Sequence, residues 1–150
     1  MKASALPGLF SFWGTTGMDA HDSAPKYPLQ ADIEALSALF RLGPYSQDWD
    51  VETADGTRVE EFIDAYDRSM SPERRFALML LILASLDERV RNEPERAIDS
   101  RLVELLRADF DLHRQTLRDW ACLEATEPDE AFSISEWARN VLQACSADAR

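Results

Sequence analysis

Glycine, cysteine and histidine are scarce in this sequence, and positive charge is in short supply. The chain has five glycines in 150 residues, whereas alanine, leucine, glutamate and arginine, which favour helix, are abundant. Its two cysteines are too few for a disulfide framework, although a pairing between neighbouring helices stays open. The composition favours an all-α protein of the cytoplasm, in which Cys122 and Cys145 are reduced and at least partly buried.

The charge is strongly acidic. Twenty-eight Asp and Glu residues stand against 16 Lys and Arg, which gives a formal net charge of −12. Such a surface repels nucleic acid phosphates and anionic lipids, so we expect neither nucleic acid nor membrane as a direct ligand. It attracts basic proteins instead. The alternative interpretation is that the charge only keeps the protein in solution.

The strongest structural signal is an apolar run inside the segment 71–91. Phe76 to Ala84 contains no polar residue, so a helix here is hydrophobic on every side and belongs in a core or a bilayer. Nine helical residues rise only ~14 Å, about half the thickness of a membrane's hydrocarbon layer. We therefore predict a buried central helix at about 72–91, capped by Ser71 and with Pro72 in its first turn.

The whole chain is predicted to be one domain, in which an irregular arm precedes the helices. Residues 1–28 carry several prolines and glycines and show no helical period. Lys2 is the only early base and Pro7-Gly8 interrupts any apolar run, so no secretory signal is expected. The apolar residues between positions 9 and 13 should pack on the helices or dock a partner.

Hydrophobic periodicity predicts a bundle or orthogonal array of five to six helices around the central one. The predicted helices are 29–42, 58–69, 72–91, 94–123 and a last one that begins after Ser133. The first should end at Gly43-Pro44, because glycine accepts a left-handed cap and proline cannot continue a helix. A break near Asp109–Asp111 is expected to divide 94–123, and 45–56 is expected to be a loop rather than a hairpin.

Two capping boxes are predicted from side chains three residues apart. Thr57 with Glu60 should start the second helix, and Ser133 with Glu136 should start the last. Phe132 and Trp137 flank the second box at the spacing of a hydrophobic staple.

Metal and catalytic motifs are weak. Carboxylates lie near the histidines in two short clusters, Asp109/Asp111/His113 and Asp19/His21/Asp22. On a helix only Asp109 and His113 share a face, and two ligands do not make a site. Turn residues in solvent explain the second cluster equally well. We predict no metal site, no cofactor and no catalytic residue.

Negative charge is concentrated between positions 48 and 67, where Arg58 is the only base. The eight acids are Asp48, Asp50, Glu52, Asp55, Glu60, Glu61, Asp64 and Asp67. On a helix, Glu60, Asp64 and Asp67 share one face, and like charges at this spacing oppose folding. Tyr45 and Trp49 lie beside them, and such aromatics are favoured interface anchors. These ten residues are the predicted partner-binding surface; the alternative is a solvated acidic face.

The leading functional hypothesis is a non-catalytic protein that binds a basic partner, of the inhibitor, immunity or antitoxin type. In general character, though without a shared motif, the chain is similar to small acidic helical proteins of bacteria that neutralise toxin enzymes. A small helical enzyme or metal-dependent hydrolase, using carboxylates with His113 or His21, is the first alternative. A self-associating regulatory or structural domain is the second.

Overall fold

Helices make up the regular structure of the described residues. The structure, a computed structural model, describes residue 25 and residues 27–148; the predicted arm up to residue 24, including Asp19, His21 and Asp22, lies outside the described residues. The α-helices are α1 (Gln30–Phe40), α2 (Trp49–Glu52), α3 (Val59–Ala65), α4 (Pro72–Asn92), α5 (Ser100–Ala108), α6 (Phe110–Ala121) and α7 (Ser135–Asp148). Short 3-10 helices occupy Gly56–Arg58 and Pro128–Glu130. No strand occurs in the described part, so the all-α prediction is confirmed.

Helix α4 is the centre of the packing, as predicted. The hydroxyl of Ser71 accepts the backbone N–H of Arg74 at 3.1 Å, and Pro72 begins the helix. Eight of the nine residues from Phe76 to Ala84 are buried, all but Leu80. Helices α1, α2, α3 and α6 all pack against α4. None of the helices within residues 27–148 combines the length and the apolar character needed to cross a membrane.

Helix α1 ends two residues earlier than its glycine–proline signal predicted. Arg41 takes the left-handed cap position with φ 56°, whereas Gly43 has no positive φ, so the prediction of a glycine cap was wrong. The buried ring of Phe40 packs edge-on against Phe62, which fixes the end of the helix in the core. The guanidinium of Arg58 then donates to the Phe40 carbonyl at 2.8 Å.

The capping box predicted at Thr57 does not form. Asp55 accepts the Thr57 backbone N–H at 2.9 Å and its hydroxyl at 2.6 Å, and the chain enters a 3-10 turn before α3. Glu60 is unavailable for the box because Arg89 of α4 binds its carboxylate. Helix α3 ends at Ala65, four residues before the predicted end.

The predicted break at Asp109 is confirmed and separates α5 from α6. Helix α5 begins at Ser100 rather than near Pro94, because Asp99 caps it by accepting the Arg101 backbone N–H at 2.9 Å. The side chain of Asp109 does not cap α6. It accepts a hydrogen bond from Tyr66 instead, so tertiary contact decides its orientation.

The start of α7 differs from both sequence signals. Ser133 is not the cap, since the helix begins at Ser135, whose hydroxyl accepts the Phe132 N–H at 2.9 Å. The backbone N–H of Ile134 donates to Asp87 of α4 at 3.1 Å. The Phe132 ring packs against Trp120 of α6, with ring centroids 4.5 Å apart, in place of the predicted staple with Trp137.

Candidate functional site

The aromatic residues of the predicted 45–67 surface belong largely to the protein's own packing. Trp49 is only 2% exposed, and its indole N–H donates to the Ser37 hydroxyl at 3.0 Å. Tyr45 is half-buried against the core and accepts a hydrogen bond from Gln30 at 3.0 Å. Trp49 is therefore a core residue, and its burial gives no support to the prediction that it anchors a partner. The segment 45–56 was predicted to be a loop, but it contains the short helix α2, which places the Trp49 indole in the core.

Three carboxylates on α3 are paired with arginines, two of which come from other helices and one from the turn directly before α3. Arg89, which is 1% exposed, binds both oxygens of Glu60 at 2.6 Å each. Arg58 binds Glu61 at 2.8 Å, and Arg101 of α5 binds Asp64 at 2.6 Å. Hydrogen bonds from these arginines lower the pKa of the Glu60 and Glu61 carboxyls.

Three further acids of the segment stabilise backbone turns. Glu52 accepts the backbone N–H groups of Ser46, Gln47 and Asp48 at 2.7–3.2 Å, and these bonds lower its pKa to about 2. Asp55 caps the 3-10 turn at Thr57, as described above. Asp67 accepts the Ser69 backbone N–H at 2.8 Å, which lowers the pKa of its carboxyl. These carboxylates are stabilised as anions by the fold itself.

Asp48 and Asp50 are the two acids of the predicted surface without such partners. Asp48 is exposed and Asp50 is half-buried, and no ion pair in the described part of the chain engages either of them. Burial raises the pKa of the Asp50 carboxyl. Most of the eight carboxylates are thus bound by arginines or by backbone N–H groups of the protein itself. Arginines pair with three of the eight acids, Glu60, Glu61 and Asp64, so the 45–67 surface is less negative than its sequence indicates. Its role in partner binding stays a prediction.

The D-x-D-x-H motif separates as helical geometry predicts. Asp109 and His113 lie together on the buried face, while Asp111 points outward and pairs with Arg114 at 2.8 Å. The hydroxyl of Tyr66 donates to Asp109 at 2.6 Å and lies 2.7 Å from Nε2 of His113. Because the hydroxyl proton goes to the carboxylate, Nε2 carries a proton and donates to the Tyr66 oxygen, which leaves Nδ1 as the bare nitrogen.

This cluster is closed to solvent. His113 is 0% exposed, and its Nδ1 has no hydrogen-bond partner. Burial lowers the pKa of His113 to about 4, so the ring is neutral at physiological pH. Burial also raises the pKa of Tyr66. Arg68 and Arg75 face the Asp109 carboxylate at 3.4 and 3.7 Å and offset its charge.

The chemistry open to the Tyr66–Asp109–His113 cluster is limited by its position. A general base must come within hydrogen-bond reach of a proton on the substrate, and no side of His113 reaches solvent. Within residues 27–148, no group of three or more His, Cys, Asp or Glu side chains is placed to hold a metal ion. The cluster instead ties the loop after α3 to the junction of α5 and α6.

A second acidic surface surrounds the connection between α6 and α7, which we call the α6–α7 surface (residues 119–136). Its six acids, with no base among them, are Asp119, Glu124, Glu127, Asp129, Glu130 and Glu136. Leu123 and Phe132 on this surface are 47% and 49% exposed. The signal was present in the sequence, since no Lys or Arg lies between Arg118 and Arg139. The run of acids at 48–67 is denser, so charge density alone favoured that segment.

The α6–α7 surface contains two clefts that meet at Ala125. One, of about 480 Å³, lies beside Leu123 and Glu124, and the other, of about 340 Å³, lies beside Phe132 and Glu136. Glu130 keeps its charge through backbone hydrogen bonds from Thr126 and Glu127, which lower the pKa of its carboxyl. The surface is therefore concave, apolar in part and negative.

Comparisons with known proteins do not assign this site. No protein-family model matches the chain, and neither the comparison with curated proteins nor that with solved structures finds a match.

Proposed function

We propose that this chain is a non-catalytic protein-binding module of the inhibitor, immunity or antitoxin type, which neutralises a basic partner such as a toxin enzyme. The observation that carries the proposal is negative charge left over after the internal ion pairs are made. Six exposed carboxylates take part in neither an ion pair nor a side-chain hydrogen bond within the described residues: Asp48, Glu95, Glu104, Glu124, Asp129 and Glu136. Surface carboxylates of this kind raise the rate at which a cationic protein is captured and favour it over acidic competitors.

The buried polar cluster supports a binding role over an enzymatic one. One form of the hydrolase alternative uses Asp109 and His113, and both of these side chains are bound to Tyr66 in the interior. The other form uses His21, which lies outside the described residues. Asp111, the remaining carboxylate of that motif, is exposed and paired with Arg114. Asp109 and His113 therefore serve packing, whereas the six exposed acids named above have no partner within the described residues.

A test of this function uses the product of the reading frame adjacent to this gene. That product should slow cell growth when expressed alone, and co-expression of this chain should restore growth. The purified pair should form a stable complex, and complex formation should inhibit the partner's activity. A variant with the six exposed acids changed to Asn or Gln keeps the internal ion pairs and should bind the partner more weakly than the wild type does. The difference in affinity between variant and wild type should be largest at low salt, where charges are least screened.

The control is the Glu61→Gln variant, which removes a carboxylate already neutralised by Arg58. It should bind the partner as the wild type does. Absence of a complex between the wild-type chain and the neighbouring product, together with unrelieved growth arrest, would contradict the proposal. A concentration-dependent homodimer without such a complex would support the self-association alternative instead.

A further inference from the structure

The α6–α7 surface presents apolar groups that are held rigidly in a polar neighbourhood. Phe132 is 49% exposed, yet its ring is packed on Trp120 with a centroid distance of 4.5 Å. The hydroxyl of Ser135 accepts the Phe132 N–H at 2.9 Å and donates to the Trp120 carbonyl at 2.7 Å. An aromatic ring fixed in this way loses little freedom on binding, which is a property of interface hot spots.

The floor of the surface is fixed by a second set of contacts. Cys122 ends α6 in a left-handed conformation with φ 46°. Arg139 of α7 donates to the carbonyls of Ala121 and Cys122 at 2.6 Å each. Its guanidinium therefore completes the end of α6, and it forms no ion pair with the described acids around it.

The charge of the clefts is unbalanced. Five carboxylates line the two clefts: Asp119, Glu124, Glu127, Glu130 and Glu136. The bases that line them are Arg118 and Arg139, and Arg139 is occupied by backbone carbonyls. At the 45–67 surface, by contrast, each α3 carboxylate has an arginine. The α6–α7 surface thus combines exposed apolar side chains, a concave shape and an excess of carboxylates over guanidinium groups.

We propose that the α6–α7 surface is where the basic partner docks, through a cationic amphipathic segment. An apolar side chain of that segment packs on Phe132 and Leu123, and its Lys or Arg side chains lie against Glu124 and Glu136. This inference rests on the proposed function and adds its location. Charge complementarity selects a cationic protein segment over a second copy of this chain, because two such acidic surfaces repel each other.

The test titrates the full-length, isotope-labelled protein with a short helical peptide of leucine and lysine, and with a leucine–glutamate peptide of the same pattern. Amide chemical shifts identify the binding surface, and calorimetry gives the affinity. The cationic peptide should bind saturably with shifts centred on residues 119–136, and the acidic peptide should not bind. Phe132→Ala and the Glu124→Gln/Glu136→Gln pair should each weaken binding by about tenfold.

Matched controls are Leu39→Ala, which truncates an apolar side chain 59% exposed on α1, and Glu34→Gln, which neutralises an exposed acid on the same helix. Both should bind as the wild type does. The amide pair leaves Phe132 and its packing on Trp120 in place, so it tests the surface even if Phe132→Ala perturbs the fold. Saturable binding centred outside 119–136 would overturn this location and leave the proposed function standing. A lack of saturable binding, or self-association through 119–136, would overturn the location and count against the function as well.

Discussion

Arg89 and Glu60 form a two-pronged ion pair that joins α4 to α3, with both N–O distances 2.6 Å. The same guanidinium donates through Nε to the Gly56 carbonyl at 3.0 Å. One side chain at the end of the central helix therefore holds the turn before α3 and the first turn of α3 itself. The pair is asymmetric, because the Arg89 side chain is 1% exposed and the Glu60 side chain 39%.

Glu60→Gln should destabilise the protein much more than Glu61→Gln. The first change leaves a buried cation facing a neutral amide, which we expect to cost about 2–3 kcal/mol because water reaches the Glu60 side. The second removes a pair whose members are both partly exposed to solvent, so it should change stability little. Urea unfolding followed by circular dichroism measures both. Equal losses would mean that Arg89 is hydrated in the folded protein.

Gly56→Ala should be destabilising because of a close approach between two backbones. A Cβ at Gly56 would lie 2.8 Å from the backbone N and 3.0 Å from the Cα of Arg89, and neither atom can rotate away. We expect a loss of about 2 kcal/mol. Gly43→Ala is the control, since nothing lies within 4 Å of its Cβ position. Thermal unfolding should show a change only for Gly56→Ala; a Gly56→Ala variant as stable as wild type would contradict the close packing.

Stability should fall as His113 is forced to take up a proton. The ordinary pKa of 6.5 is lowered to about 4 in the folded protein, so between these values the unfolded chain binds more protons than the folded one. The contribution of neutral His113 is complete above pH 6.5, declines as the pH falls and reaches a loss of roughly 3 kcal/mol near pH 4.

His113→Gln isolates this effect, because an amide can still donate to Tyr66 but does not titrate. Urea unfolding of both proteins between pH 7 and 4 should show that the free energy of unfolding falls further for the wild type, by roughly 3 kcal/mol. Parallel curves would mean that the imidazole is charged or hydrated in the folded state.

The carboxyl of Glu52 should titrate near pH 2, well below its ordinary value of 4.5. The bonded backbone N–H groups of Ser46, Gln47 and Asp48 favour its charged form. Its contribution to stability is therefore present above pH 4.5 and disappears as the pH falls through about 2. Carbon NMR of the carboxyl should give that midpoint, and amide shifts of residues 46–48 should follow it. A midpoint near 4.5 would show that this cap does not persist in solution.

Local signals predicted the helices well where local chemistry decides. The apolar run at Phe76–Ala84 and the Ser71-Pro72 start depend on neighbouring residues, and both are confirmed. The break at Asp109 also follows from length and period. The predictions that failed involve side chains that form hydrogen bonds or ion pairs with residues distant in sequence. Glu60 is taken by Arg89, 29 residues away, and Asp109 by Tyr66.

The candidate site was harder to predict for the same physical reason. Sequence shows where carboxylates are dense, but their effective charge depends on which arginines fold back onto them. Arg101 reaches Asp64 across 37 positions, and no local pattern announces this pair. The run of acids at 119–136 could have been found from the absence of Lys and Arg. The exposure of Phe132 could not, because its ring packs on Trp120 from the preceding helix.

The measurement that tests the central claim most directly is the rate of association between this chain and the proposed cationic partner as salt concentration rises. Stopped-flow fluorescence can follow it through the tryptophans, with the product of the adjacent reading frame as partner. The account predicts a rate constant that falls steeply with ionic strength, and a weaker dependence for the Glu124→Gln/Glu136→Gln variant. A rate constant that is unchanged by salt, or the same salt dependence in that variant, would contradict it.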